Sequence, residues 1–405
     1  MVALAWTGLA LGCGRPVELP GPDGGSKVPK DGGMDAGVDA GTDAGSMPEA
    51  CAAPGAVCDG RTGLCSTLPA CSSAKPCTDL TGRTVTTAFT APRCRTLAPG
   101  RPSFNDSPPR TWSDSVTGED RAACVFRPPG AGLRPLVLYF HGWSGTADVI
   151  YNSTLLRQKA ATFPMNGDGG VNGFVLASDQ GRNLLMPVGE VASQTGGGTA
   201  HDAYFRSTGA LSTNPDFRNA DRLIDELVAA GGIDPGRIYV MGWSNGAFFA
   251  QLYAFSRHVI ATPGGNRVAA AAVYSGGDPF AGIGVDDGTR CAFKSVPMLQ
   301  LPVFFVHRDC DSATCDEAQR VALGRPVSNN ATAWMARLTG ELGDGDVTHV
   351  MLDAAAQPRT SCAPTSSCTS DLAGSNHLNW PDGVGDGSGR DWEPAMLEFL
   401  RARHL

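Results

Sequence analysis

The chain has 405 residues, of which 42% are hydrophobic and 18% charged; that is too much apolar material for a disordered chain and too much length for a small cross-linked scaffold. Thirty-two basic side chains against 40 acidic ones give a formal net charge of -8, without the basic field that phosphate-rich partners require, so nucleic acid is not an expected ligand. No apolar run approaches the roughly 20 residues needed to cross a bilayer. Any membrane contact is expected through an anchor alone.

Val2 to Leu11 form a short apolar stretch ending in Ala10-Leu11-Gly12-Cys13. It resembles a lipobox, where a bacterial signal peptidase leaves a lipid-modified cysteine at the new terminus; an ordinary cleaved secretory peptide is the alternative. Either reading exports the protein, makes residues 1–13 the signal peptide and lipobox, and keeps residues 1–12 out of the fold. Residues 14–50 are rich in Gly, Pro, Asp and Ala and include DAGVDAGTDAG, a composition that cannot offset its ordering entropy and reads as a solvated tether. Asp35, Asp39 and Asp43 recur every four residues, whereas calcium loops place ligands on alternate positions around a turn. Metal is therefore not expected there.

Of 13 cysteines, twelve remain after Cys13, and none forms a CxxC pair. Even parity without metal-type spacing predicts disulfides and an oxidising compartment. Six of them fall between Cys51 and Cys94 among few large apolar residues, so 51–114 reads as a small cross-linked segment with open connectivity. It would serve as a binding or spacer module, or as an embellishment packed against the catalytic domain.

From 115 to 405 short β-rich apolar runs alternate with helical stretches, which predicts a mostly parallel, doubly wound α/β sheet. Strands are expected at 134–141, 173–178, 237–242, 268–274, 302–307 and 346–352; their nearly continuous apolarity fits strands buried on both faces. Helices are expected near 145–162, 216–230, 246–258, 329–341 and 391–403. Phe217, Leu223, Ile224, Leu227 and Val228 give the second its apolar stripe.

Gly242-Trp243-Ser244-Asn245-Gly246 follows the strand RIYVMG and precedes the helix AFFAQLYAF. This is GxSxG in the context of a nucleophile elbow: the glycines make room for a sharp strand-to-helix turn, Ser244 projects its hydroxyl, and the helix directs its partly positive end at the same spot. A serine hydroxyl needs a base, and a base needs an orienting carboxylate, in the chain order Ser, Asp, His. His377, in GSNHLNWPD, is the expected base. His349 sits inside a strand-like run and His404 one residue from the C-terminus, so both are expected outside the chemistry. VFFVHRDCDSATC offers the acid: Asp311 is chosen because it lies farther into the loop, with Asp309 as the alternative and Asp316 more distant. Disulfides Cys310–Cys315 and Cys362–Cys368 could brace the loops carrying acid and base.

The oxyanion hole is expected from the backbone N–H groups of Trp143, in His141-Gly142-Trp143-Ser144-Gly145 at the end of RPLVLYF, and of Asn245; such donors each contribute about 10²-fold or more. His141 is expected to prop its loop by a hydrogen bond. Trp143 and Trp243 are open between hydrophobic wall and substrate platform. Residues 181–215 are polar, glycine-rich and long for a plain connection, so His201 and Tyr204 either line the cleft or belong to a surface excursion.

LYFHGWSG, IDPGRIYVMGWSNG, VHRDCD and a His followed closely by Trp-Pro in GSNHLNWPD together resemble the polyhydroxybutyrate depolymerase and feruloyl esterase group of secreted α/β-hydrolases, over about 120–403. The resemblance implies an α/β-hydrolase fold, a triad of Ser244, Asp311 and His377, an ester substrate that could be polymeric, and no metal or organic cofactor. The rival readings are a secreted peptidase on the same fold and a non-catalytic surface-binding lipoprotein.

Overall fold

The computed structural model describes residues 57–58, 65–66 and 91–405, except 168–169, 171, 185–197, 204–213, 259–264, 278, 280–300, 309–333, 336–337, 340–345, 353–374 and 386–388. Cys13, the tether and most of the cysteine-rich segment lie outside the described residues. Within that segment β1 (Val57–Cys58) pairs antiparallel with β2 (Cys65–Ser66).

Eight strands make the main sheet: β3 (Arg110–Ser113), β4 (Asp120–Phe126), β5 (Arg134–Phe140), β6 (Val175–Asp179), β9 (Ile233–Trp243), β10 (Ala270–Tyr274), β11 (Val303–Arg308) and β12 (Val347–Leu352), in spatial order β12-β11-β10-β9-β5-β6-β4-β3. β5, β6 and β9 to β12 run parallel, whereas β4 is antiparallel to both its neighbours. A short ribbon, β7 (Arg182–Leu184) with β8 (Gly198–Ala200), stands apart from it. The helices are α1 (Val149–Asn152), α2 (Leu156–Thr162), α3 (Pro215–Ala229), α4 (Asn245–His258), α5 (Ser375–Leu378) and α6 (Glu393–Arg401). A mostly parallel sheet with its second strand reversed and helices on both faces is the α/β-hydrolase fold.

Every residue of β5 is buried because the strand feeds two cores. Leu136, Leu138 and Phe140 face α3 and α4, while Val137 and Tyr139 face the side packed by α1, α2 and α6. β9 divides likewise, with Ile238 and Val240 on the first side and Tyr239 and Met241 on the second. The start of α3 has a clear local cause. Asn214 caps it by accepting from the N–H groups of Asp216 and Phe217, and Pro215 occupies the first turn, where its missing N–H costs nothing.

All six expected strands are present, and the helices expected near 216–230, 246–258 and 391–403 are present within a few residues, whereas 145–162 holds two short helices, α1 and α2, in place of one; at 329–341 only 334–335 and 338–339 are described, and these are helical. β3 and β4 are additional to the expected set; β3 is a four-residue, mostly exposed edge strand, and β4 begins with Asp-Arg and carries small residues, so neither shows a long apolar run. Thus the sheet begins at Arg110, ahead of the expected boundary at 115. Cys94, whose partner is open from sequence, is bonded to Cys124 on β4, and the Asp148 carboxylate accepts the N–H groups of Arg93 and Cys94. Residues 91–105 are therefore fastened to the main sheet. Among the described residues no helix is long and apolar enough to cross a membrane.

Candidate active site

The site forms at the carboxyl ends of the central strands, where β9 turns into α4. Ser244 makes that turn with φ +55°, a left-handed conformation that costs a non-glycine residue about 1–3 kcal/mol. The flanking glycines are required by space: a Cβ on Gly242 would lie 2.2 Å from Gly246 O, and one on Gly246 would lie 2.0 Å from Phe140 O. Its neighbours fix the strained turn, since Ser244 N–H donates to Tyr274 O at 3.0 Å and Ala247 N–H to Ser244 O at 2.8 Å.

His377 lies in α5, and its Nε2 is 2.8 Å from Ser244 Oγ. The other ring nitrogen, Nδ1, is 2.6 Å from Ser275 Oγ, a contact without any signature in the sequence. His377 is also held through its backbone, because the Trp243 indole N–H donates to its main-chain oxygen at 2.9 Å. Trp243, open between wall and platform from sequence, thus braces His377. Behind it, buried Trp380 packs edge-on against Tyr139 and Tyr274, with ring centroids 5.6 and 5.7 Å away, and donates its indole N–H to Glu393 Oε1 at 2.6 Å. Glu393 also accepts from Leu155 N–H and Lys159, tying the loop of the base to α2 and α6. The Trp-Pro after the histidine therefore has a physical task, the anchoring of that loop. Asp309, Asp311, Asp316 and the four cysteines expected as braces, Cys310, Cys315, Cys362 and Cys368, lie outside the described residues.

The loop from His141 to Gly145 abuts the elbow. A Cβ on Gly142 would sit 3.2 Å from Ser244 Cβ and 3.3 Å from Trp243 O. The Ser144 N–H donates to Thr199 O at 2.8 Å and that of Gly145 to Gly142 O at 3.0 Å, whereas the Trp143 N–H meets no backbone acceptor among the described residues. Asn245 opens α4, so its N–H has no partner within the helix. Among the described residues neither amide has a backbone acceptor.

His141 is fully buried: its Nε2 accepts the Gly181 N–H at 2.9 Å and its Nδ1 donates to Gly142 O at 2.7 Å. That pair of bonds fits only the neutral ring. Burial, with His201 nearby, lowers its pKa to about 3. The expected propping role matches this geometry, and both ring nitrogens are committed to the backbone and not to Ser244.

The segment 199–202 runs behind the oxyanion loop. The Thr199 hydroxyl donates to Gly145 O, and the Asn245 carboxamide is gripped at both ends by the backbone of His201, accepting its N–H at 2.9 Å and donating to its O at 3.1 Å. The His201 ring is fully buried against Phe140 and Phe249, so it does not line a cleft; Tyr204 lies outside the described residues. Asp202 N–H donates to Asp216, which also receives Arg121 at 2.6 Å and Arg182 at 3.4 Å. Burial alone would raise the Asp216 pKa, but the two guanidiniums hold it well below the usual carboxylate range. Arg121, Arg182 and Asp216 are spread along the chain with no motif between them, so sequence reasoning misses this cluster.

His349 pairs with His307, Nε2 to Nε2 at 2.7 Å, with the rings stacked between β11 and β12, and burial together with His307 lowers its pKa to about 4. His404 is exposed at the C-terminus. The hydroxyl of Ser244 is bonded to His377 and to neither of these. The only cluster of potential metal ligands among the described residues, Cys94, Cys124 and Asp148, has its two sulfurs joined in the disulfide.

An elbow serine bonded to a histidine on an α/β-hydrolase sheet defines a candidate serine-nucleophile site. No family model and no curated protein matches the chain. Among solved structures, it is similar to a cold-adapted esterase from an Arctic intertidal metagenomic library (17% identity, 74% of this chain and 94% of that one, TM-score 0.40). It is also similar to a thermostable esterase (16%, 73% and 63%, 0.40) and to an S-formylglutathione hydrolase from Agrobacterium tumefaciens (15%, 61% and 86%, 0.38). The chain thus spans less than two thirds of the thermostable esterase. These likenesses decide nothing about substrate.

Proposed function

We propose that the protein is an exported serine esterase that cleaves carboxylic esters through an acyl-enzyme. The observation that carries this reading is the 2.8 Å contact of Ser244 Oγ with His377 Nε2 at a strained, glycine-flanked elbow. His377 takes the hydroxyl proton as Ser244 attacks the ester carbonyl, and then protonates the departing alkoxide. The amides of Trp143 and Asn245 receive the carbonyl oxygen as it gains charge. Asp311 completes the triad, and water releases the acyl group by the same steps in reverse roles. All of this uses side chains and amides of the chain itself.

Esters of hydroxyalkanoates, or feruloyl and acetyl groups on polysaccharide, are the substrates favoured by the four motifs read in the sequence. Export is supported by the lipobox-like segment ending at Cys13 and by the Cys94–Cys124 disulfide. The deciding experiment compares short hydroxybutyrate oligomers, methyl ferulate, acetylated xylan and p-nitrophenyl esters with peptide anilides. Ester turnover that disappears in Ser244→Ala supports the proposal, and preferential peptide cleavage, or no turnover of any of these, contradicts it.

A further inference from the structure

We infer that Ser275 is a positioning residue for the base, its hydroxyl accepting the Nδ1 proton of His377 so that Nε2 presents its lone pair to Ser244. The inference rests on the reading of Ser244 and His377 as nucleophile and base. Its starting point is the imidazole itself, which lies between two serine hydroxyls, 2.8 Å from Ser244 Oγ on one side and 2.6 Å from Ser275 Oγ on the other.

The placement is enforced by the backbone. Ser275 has φ +58°, an unusual conformation for a buried serine, and it directly follows β10. Its N–H donates to Val306 O on β11 at 2.8 Å, while the preceding residue, Tyr274, accepts the Ser244 N–H at 3.0 Å. Both hydroxyls are thus mounted on one hydrogen-bonded lattice spanning β9, β10 and β11. The next residue allows no slack, since a Cβ on Gly276 would come 2.8 Å from the Ala247 Cβ of α4. A strained conformation kept at a functional site is over-determined by its surroundings, and here those surroundings aim one hydroxyl at one ring nitrogen.

The chemistry selects the direction of the bond. If Ser275 donated to Nδ1, the neutral ring would carry its proton on Nε2 and could not accept one from Ser244. With Ser275 accepting, Nδ1 holds the proton throughout the cycle, and the bond strengthens as the ring becomes imidazolium, because the donor is then charged. The Asp311 carboxylate proposed for the triad would share this one Nδ1–H with Ser275 in a three-centre bond.

Ser275→Gly is the informative variant, because glycine accepts the positive φ and removes only the hydroxymethyl group. Ser275→Ala removes the hydroxyl while keeping the strain. In both, kcat on a p-nitrophenyl ester should fall about tenfold or more with KM little changed, the effect of one hydrogen bond strengthened in the transition state. The acid limb of the kcat/KM profile should also move to lower pH, because the lost acceptor favoured the protonated ring; a merely structural role would not move that limb. A folded Ser275→Gly protein with wild-type kcat and an unshifted limb overturns the inference while leaving the esterase reading intact. A wild-type protein inactive on esters overturns both.

Discussion

The indole N–H of Trp243 and the main-chain oxygen of His377 are 2.9 Å apart, so the residue before the elbow serine holds the residue whose ring meets that serine's hydroxyl. Elbow and base are far apart in sequence, and this bond makes their approach a property of the packed core and not of substrate binding. Trp243→Phe keeps an aromatic ring and deletes the donor. We expect kcat on p-nitrophenyl esters to fall about three- to tenfold, corresponding to roughly 1 kcal/mol, with little change in melting temperature. Steady-state kinetics beside a thermal melt checks this, and unchanged kcat would mean that the bond does not brace the base.

The glycines of the elbow separate crowding from conformational freedom. Gly246→Ala would put a methyl group 2.0 Å from the carbonyl oxygen of Phe140, whereas a Cβ at Gly236 meets only Asp234 Oδ1 at 3.5 Å. The first change should cost more than about 3 kcal/mol or prevent folding, and the second less than about 0.5 kcal/mol. Urea unfolding of the two variants measures the contrast.

His141 gives the stability of the fold a pH dependence. Its pKa is about 3 in the folded protein against 6.5 for a free histidine, so between these values the unfolded chain binds more protons and stability falls as pH falls. The contribution is complete above pH 6.5 and decreases by about 1.4 kcal/mol per pH unit below it, reaching roughly 2–3 kcal/mol by pH 4.5. His141→Asn, although less stable at pH 7.5, should show a flatter dependence from pH 7.5 to 4.5 in denaturant titrations. An equally steep slope would place the acid sensitivity elsewhere.

Trp380 anchors the loop that follows His377. Trp380→Phe retains most of the apolar contact with Tyr139 and Tyr274 but leaves buried Glu393 without its indole donor. A loss of about 1–3 kcal/mol is expected, with a larger loss of ester turnover than of fold at temperatures where both proteins are native. Calorimetry and kinetics on the same samples distinguish the two effects.

Much of this arrangement is legible in the sequence, for identifiable reasons. Strands buried on both faces announce themselves as apolar runs, which locates β5 and β9, and Ser244 sits in a motif whose glycines are sterically forced. His377 is legible because a Trp-Pro follows it, and Trp380 supplies the mechanical reason. Ser275 is not legible: a serine after an alanine-rich strand has no signature, and only the positive φ and the register of β10 bring it to the ring. The clamp formed by Thr199, His201 and Asn245 is hidden for a similar reason, since two of its contacts come from the His201 backbone, whose hydrogen bonds no residue type encodes.

Covalent labelling with a fluorophosphonate, followed by peptide mapping, tests most directly whether Ser244 is a nucleophile activated by His377. One adduct is expected, on Ser244, absent in Ser244→Ala and formed far more slowly in His377→Ala. A folded wild-type protein that takes no label, or an adduct on another serine that persists in Ser244→Ala, would contradict that assignment.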